Sequence, residues 1–239
     1  MLTLIIDWLI ELDHSIFLAL NGLHSPFWDS FNMLLTGKWV WVPMYATLAA
    51  ALLVTRRTVT AVVLIAAVLL MIAITDYGIA SLLRPWLGRF RPGHPESALS
   101  ALVHNVNGYR GGTYGFPSCH AANSFALAIF MALTARKRIF VWFIFMWAII
   151  HSYTRLYLGV HFPGDLIVGA SFGLLIGWGM RAFCGWVLRI SGDSTAPRPG
   201  SDRYRPWLWP VVVGVATIVV SALVALIQQS AIIQTSAAS

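Results

Sequence analysis

The stretch VTAVVLIAAVLLMIAITDYGIASLL, residues 59–83, decides the fold class. It contains one charged residue, Asp76, in 25 positions, whereas a membrane-spanning helix needs about 20 mainly apolar residues. Further stretches that predict spans lie at residues 39–55, 119–135, 139–156, 164–188 and 207–228. The sequence therefore predicts an all-α polytopic membrane bundle of about six transmembrane helices.

Composition supports this interpretation. The 239 residues are 58% hydrophobic and only 10% charged, and the mean hydropathy is +0.74. A soluble domain carries about 25% charged residues, so this surface is not mainly water-facing. The net charge of +7 does not indicate a nucleic-acid partner, because basic residues cluster at the ends of the predicted spans, where they set topology.

The flanking segments divide the chain. Residues 1–38 are predicted to be an amphipathic segment at the membrane interface, because Asp7, Glu11 and Asp13 interrupt its apolar start. Residues 39–190 form the predicted helical core. The Pro- and Gly-containing stretch 191–206 is predicted to be a cytoplasmic loop, and residues 207–239 a last transmembrane helix with a tail.

Basic clusters orient the predicted bundle. They alternate onto one side, which the positive-inside rule assigns to the cytoplasm: Arg56-Arg57, Arg136-Lys137-Arg138, Arg181 with Arg189, and Arg198, Arg203 and Arg205. Other arginines violate this bias on the outer side: Arg84, Arg89, Arg91, Arg110 and Arg155. Arginines placed against the charge bias indicate a binding role.

Three outer-side segments carry the polar chemistry: RPWLGRFRP at 84–92, PSCH at 117–120 and TRLYLGVHFPGD at 154–165. The arginine fork matches phosphate oxygens, and Ser118 opens a helix whose N-terminal N–H groups attract anions. His161, oriented by Asp165 four residues later, is predicted to be a nucleophile, and His120 a general acid. The outer side has no acidic cluster for magnesium, so metal-free and cofactor-free phosphate chemistry is predicted.

These segments resemble the motifs of the type 2 phosphatidic acid phosphatase (PAP2) superfamily: Lys-x6-Arg-Pro, then Pro-Ser-Gly-His, then Ser-Arg-x5-His-x3-Asp. Arg84 replaces the lysine, Cys119 the glycine and Thr154 the serine, while the other motif positions match. The resemblance implies a phosphohistidine on His161, assisted by Asp165, with His120 as the acid. It implies a phosphate site of Arg84, Arg91, Ser118, Cys119 and Arg155. Cys119 would be strained if the glycine position required a positive φ.

The expected substrate is a lipid phosphate or pyrophosphate, taken from the bilayer at the outer face of a bacterial inner membrane. The resemblance suggests undecaprenyl pyrophosphate first. A lipid A 1-phosphatase or phosphotransferase and a phosphatidylglycerophosphate phosphatase are the alternatives. An anion transporter or channel and a non-catalytic lipid-binding scaffold are the rival classes. Oligomeric state cannot be read from the sequence.

Other residues have structural interpretations. Gly169, Gly173 and Gly177 predict close helix packing, and His151 is predicted to be structural or to support the site. For Asp76, a hydrogen bond to a neighbouring helix is favoured over a proton path. Cys119 and Cys184 lie at opposite span ends, so no disulfide is predicted.

Overall fold

The computed structural model describes residues 1–193, 196–198, 200–202 and 204–237. Its regular elements within these ranges are helices. They are α1 (Leu2–Asn21), α2 (Pro26–Leu35), α3 (Val42–Thr55), α4 (Thr58–Thr75), α5 (Arg84–Leu87), α6 (Cys119–Ala135), α7 (Arg138–Tyr157), α8 (Pro163–Ile190) and α9 (Trp209–Ala237). A π-helical segment, Asp76–Leu83, joins α4 to α5. The all-α prediction is confirmed.

The membrane spans differ in length from the prediction. In the part of the chain that the structure describes, four helical stretches are long and apolar enough to cross a membrane: Thr58–Leu87, Arg138–Tyr157, Pro163–Ile190 and Arg205–Ala231. A fifth span results if α2 is counted with residues 39–55, from which it is bent by 67°. Gly37 lies at this bend and Pro43 opens α3, so a straight helix does not continue through it. The predicted first span is therefore the second half of a broken one.

Helix α6 is short because it is the centre of the bundle. Its 17 residues extend about 25 Å at 1.5 Å per residue, less than the ~30 Å hydrocarbon core of a bilayer. Most of its side chains are buried against α4, α7 and α8. A helix covered by its neighbours does not have to match the bilayer thickness by itself.

The closest helix contact joins α6 to α8. A Cβ atom added to Gly169 would lie 2.4 Å from the Ser118 carbonyl oxygen, and one added to Gly173 would lie 2.2 Å from that of Ala122. The predicted packing role of this glycine face is confirmed. Where the two helices begin, the Ser118 N–H donates to the Asp165 carbonyl at 3.0 Å. The glycine face thus brings two of the sequence motifs together.

The opposite end of the bundle holds several of the predicted cytoplasmic arginines. Arg56 is buried and donates to the Thr134 carbonyl, and Arg181 Nε donates to the Thr134 hydroxyl at 3.2 Å. The Arg198 N–H donates to the Thr55 carbonyl at 2.8 Å. Arg203 and part of the predicted loop 191–206 lie outside the described residues.

We predict that Gly173→Ala destabilises the protein by about 1–3 kcal/mol, because the new methyl group overlaps backbone atoms of α6 that cannot rotate away. The check is thermal unfolding of purified protein in detergent. Gly179→Ala on the same helix is the matched control, since nothing lies within 4 Å of its added Cβ. Equal unfolding temperatures for the two variants would contradict the proposed contact.

Candidate active site

The three motifs meet at one end of the bundle, where α6 and α8 begin and α7 ends. Gly88, in the left-handed conformation with φ 63°, ends α5 and turns the chain back over the bundle. Arg91 N–H then donates to Thr113 O at 3.2 Å, and Gly115 N–H to Arg89 O at 2.9 Å. A Cβ on Gly115 would lie 2.9 Å from Asp165 Oδ2, so this glycine allows the loop to cover the site closely.

His161 is held between a carboxylate and a guanidinium. Its Nδ1 donates to Asp165 Oδ2 at 3.1 Å, and its Nε2 accepts from Arg91 Nη1 at 3.2 Å. Asp165 Oδ2 also accepts the Phe162 N–H at 3.0 Å. Since a carboxylate accepts, the proton is on Nδ1 and the Nε2 lone pair faces the arginine. This tautomer leaves Nε2 available as a nucleophile.

The surroundings keep His161 neutral. The imidazole is 1% exposed. Burial, followed by the charges of Arg91 and Arg155, holds the pKa of His161 well below its usual value. A nucleophilic histidine must be unprotonated, so this site supplies the reactive form without first removing a proton.

Two buried guanidinium groups, those of Arg91 and Arg155, lie at the predicted phosphate site. Arg91 donates to the Val160 carbonyl at 3.1 Å, and Arg155 donates to the Thr36 hydroxyl at 2.7 Å and the Tyr109 hydroxyl at 3.0 Å. The Nε atoms of both arginines are buried without a hydrogen-bond partner in the described part of the chain. Burial and the neighbouring positive charges lower the pKa of Arg91 to about 10, which still leaves it charged at neutral pH. A phosphate would satisfy these donors and offset their mutual repulsion.

The remaining predicted phosphate ligands lie at the start of α6. Arg84 Nε donates to the Pro117 carbonyl at 2.9 Å, which anchors this side chain beside the Pro-Ser-Cys-His motif. Ser118 is the N-cap, and its hydroxyl accepts the Ala121 N–H at 3.4 Å. Cys119 is the first helical residue and does not have a positive φ, so the expected strain is absent.

His120 lies on the first turn of α6, one turn before the buried Ser124–His151 pair. The rings of His120 and His151 are 5.5 Å apart and stacked, and Ser124 Oγ is 2.8 Å from His151 Nδ1. His151 Nε2 is buried without a partner among the described residues. The His120 ring is therefore positioned by stacking on His151, and not by the His161–Asp165 pair.

Sequence reasoning missed Arg89 and Asp13 as site residues. Arg89 donates to Asp165 Oδ1 at 2.9 Å and to Asp13 Oδ2 at 2.5 Å. Asp13 Oδ1 also accepts the Gly164 N–H, at 2.7 Å, in the first turn of α8. Both oxygens of Asp165 are thus engaged, and α1 takes part in holding them. Arg89 could have been found from its position, since it is one of the arginines that violate the positive-inside bias. No sequence pattern pointed to Asp13.

A cavity of about 830 Å³ opens beside His120 and Arg155 and extends into the bundle. Its deeper lining is apolar and comes from α3, α4, α6 and α7, including Leu52, Leu69, Leu127 and Met131. From His120 to Met131, the α6 axis descends about 16 Å at 1.5 Å per residue. This length is about half of the ~30 Å thickness of a bilayer's hydrocarbon core.

Among the described residues, no group of three or more His, Cys, Asp and Glu side chains could hold a metal ion. Catalysis without a metal stays a prediction. Cys119 and Cys184 are free and buried.

Comparisons with known proteins decide the family. The model of the PAP2 superfamily matches residues 60–189, which is more than half of the chain. This chain belongs to the PAP2 superfamily. It is a membrane lipid phosphatase of the PAP2 type, as its motifs predicted.

This PAP2 protein is similar to two lipid A 4'-phosphatases and to a phosphatase of known structure. It is 48% identical to a lipid A 4'-phosphatase from Bacteroides thetaiotaomicron over 82% of this chain and 86% of that protein. It is 37% identical to a lipid A 4'-phosphatase from Porphyromonas gingivalis over 72% of each. It also shares its fold with the crystal structure of a PAP2-type phosphatidylglycerolphosphate phosphatase from Bacillus subtilis. That similarity has a TM-score of 0.56 and 23% identity, over 74% of this chain and 86% of that one.

We predict that Asp13→Asn lowers kcat about tenfold with little change in KM, because one charge-assisted hydrogen bond that steadies Arg89 is lost. Phosphate release from a lipid phosphate is the measurement. Asp7→Asn and Glu11→Gln, exposed on the same helix, are the matched controls and should keep wild-type kcat. A wild-type kcat for Asp13→Asn would show that Asp165 is held without α1.

Proposed function

We propose that this protein hydrolyses the 4'-phosphate of lipid A through a phosphohistidine on His161. The observation that carries the chemistry is the arrangement of His161, with Asp165 on Nδ1 and a buried arginine at Nε2. The relatives named lipid A 4'-phosphatases support the substrate. They favour lipid A, which was predicted as an alternative substrate with its 1-phosphate as the target, over undecaprenyl pyrophosphate, which was predicted first.

The first step is attack of His161 Nε2 on phosphorus. The phosphoryl group replaces the contact between Arg91 and Nε2, and its oxygens accept from Arg84, Arg91 and Arg155. A P–N bond forms as the P–O bond to the sugar breaks, and His120 protonates the leaving oxygen. Asp165 stabilises the positive charge that develops on the imidazole. The arginines stabilise the charge on the transferring group, the role that metal ions have in other phosphatases.

The second step releases phosphate. Water attacks the phosphohistidine, and His120, now unprotonated, accepts a proton from this water. The P–N bond breaks, inorganic phosphate leaves, and His161 returns to its neutral form with the proton still on Nδ1. No net oxidation or reduction occurs, and water is the only co-reactant.

The cavity supports a lipid substrate. A phosphate at the arginines leaves the attached acyl chains next to the apolar lining of α3, α4, α6 and α7. Burying a methylene group contributes about 0.8 kcal/mol relative to water, although chains moving from the bilayer gain less. The cavity therefore serves to position the lipid more than to extract it.

The decisive test of the function is phosphate release from purified lipid A in excess EDTA. We predict turnover by the wild type, none by His161→Ala, and a loss of about 10²–10⁴-fold in His120→Ala, the usual effect of removing a general acid. Acid-labile radiolabel on the protein should appear in the wild type and be absent in His161→Ala. Label that persists in His161→Ala would remove this residue from the role of nucleophile. Release from undecaprenyl pyrophosphate but not lipid A would restore the first choice of substrate.

The site is also proposed to face the periplasm of a bacterial inner membrane, because the basic clusters lie at the opposite ends of the helices. We predict that Ser100→Cys is labelled by an impermeant thiol reagent on spheroplasts and that Lys137→Cys is not, in a Cys119→Gly, Cys184→Ala background. Labelling of the background alone is the control. The reverse pattern would place the active site on the cytoplasmic face.

A further inference from the structure

Below the phosphate site, the cavity contains a polar pair within its apolar walls. Asn123 Nδ2 donates to Asp76 Oδ1 at 2.8 Å, which confirms the predicted hydrogen bond from Asp76 to a neighbouring helix. Both residues line the same cavity as His120 and Arg155. An ionisable side chain at this depth is costly, and such residues usually have a functional reason.

The local backbone presents Asp76 to the cavity. The π-helical segment begins at Asp76, in the middle of the long stretch Thr58–Leu87. A π-helical turn changes which direction a side chain faces, and such turns are frequent at functional sites. The residue is exposed rather than packed in the protein, so its carboxylate is open to a molecule that occupies the cavity.

The carboxylate of the pair can only accept hydrogen bonds from that molecule. A carboxylate provides about four lone-pair sites, and the Asn123 amide uses one of them. Because the amide must turn its NH₂ group to the carboxylate, its Oδ1 faces away and is buried without a partner within the described ranges. The second oxygen of Asp76 is then the acceptor that remains for a donor on that molecule.

The depth of the pair defines which part of a lipid meets it. Asn123 is five residues beyond the Ser118 cap, which is about 7 Å along the helix axis. In a lipid phosphate, the atoms about 7 Å from phosphorus are those that link the head to its acyl chains. In ester-linked lipids these groups are acceptors only, whereas an amide-linked chain or a hydroxyl group brings an N–H or O–H donor.

We propose that Asp76, held by Asn123, is a specificity site for an N–H or O–H donor at the acyl linkage of the substrate. This inference rests on the proposed function, because it concerns the lipid whose phosphate occupies the arginine site. A site that hydrogen-bonds a substrate donor rejects an analogue without one, since the carboxylate then stays unpaired in an apolar cavity. Lipid A, an acylated amino sugar, carries such donors, and so does a sphingoid lipid phosphate.

The test uses two lipids of matched chain length, ceramide 1-phosphate with an amide linkage and phosphatidic acid with ester linkages. Wild-type kcat/KM should be at least about tenfold higher for ceramide 1-phosphate, the value of one buried hydrogen bond to a charged group. Asp76→Leu, similar in size, should lose this preference, with a lower kcat/KM on ceramide 1-phosphate and a kcat/KM on phosphatidic acid at least as high as that of the wild type. Asn123→Leu should lose part of it. Ser171→Ala, exposed on α8 and away from the cavity, should change neither rate.

Binding separates this proposal from the proposed function. Native mass spectrometry of His161→Ala with each lipid should show preferential binding of the amide lipid, which Asp76→Leu abolishes. This preference can be measured even if the wild type releases no phosphate, in which case only the proposed function fails. Equal binding of both lipids, or an equal loss for both in Asp76→Leu, would overturn the specificity site. Lipid A is included to identify the source of the donor. Binding of lipid A that Asp76→Leu weakens indicates an amino sugar, and a loss confined to ceramide 1-phosphate indicates a sphingoid lipid.

Discussion

The close approach of α6 to α8 positions every other part of the site. Without side chains on the glycine face of α8, the two backbones come within contact distance, and their outer ends are joined by the hydrogen bond from Ser118 to Asp165. This bond sets the N-terminus of α6, with Ser118 and His120, against the helix that carries the carboxylate. A wider helix separation would move His120, the proposed acid, away from His161, the proposed nucleophile.

The arginines at the end of the bundle that carries the site repel one another. The electrostatic energy of the site is therefore unfavourable when no anion is bound. Three guanidiniums face a neutral histidine, and the carboxylate that could balance them is already engaged by Arg89 and His161. Arg91 and Arg155 are each buried, with donors left over. The binding of a phosphate group supplies the missing negative charge, so part of the attraction is the relief of repulsion that the fold maintains.

The sequence predicted the residues whose partners are close in the chain or shared by a repeating pattern. The four-residue spacing of His161 and Asp165, the Ser118 cap and the glycine face are all of this kind. It could not predict the contact of Arg89 with Asp13, because that contact depends on where α1 lies against the bundle, and no local pattern records this. The cavity arises from the separation of helices, and Thr36 and Tyr109 reach Arg155 from loops. Tail contacts are generic apolar side chains, so the sequence motifs alone do not distinguish one lipid phosphate from another.

The contacts that Asp13 makes join the first helix of the chain to Arg89, 76 positions later, and to Gly164 at the start of α8, 151 positions later. Contacts with such sequence separation form late, because the intervening chain must be arranged before they become favourable. During synthesis and insertion, the protein would therefore carry its histidine and arginines in the membrane before the carboxylate is fully held. The geometry links catalytic competence to completion of the tertiary structure, so a partly inserted chain would be a poor hydrolase toward the lipids that surround it.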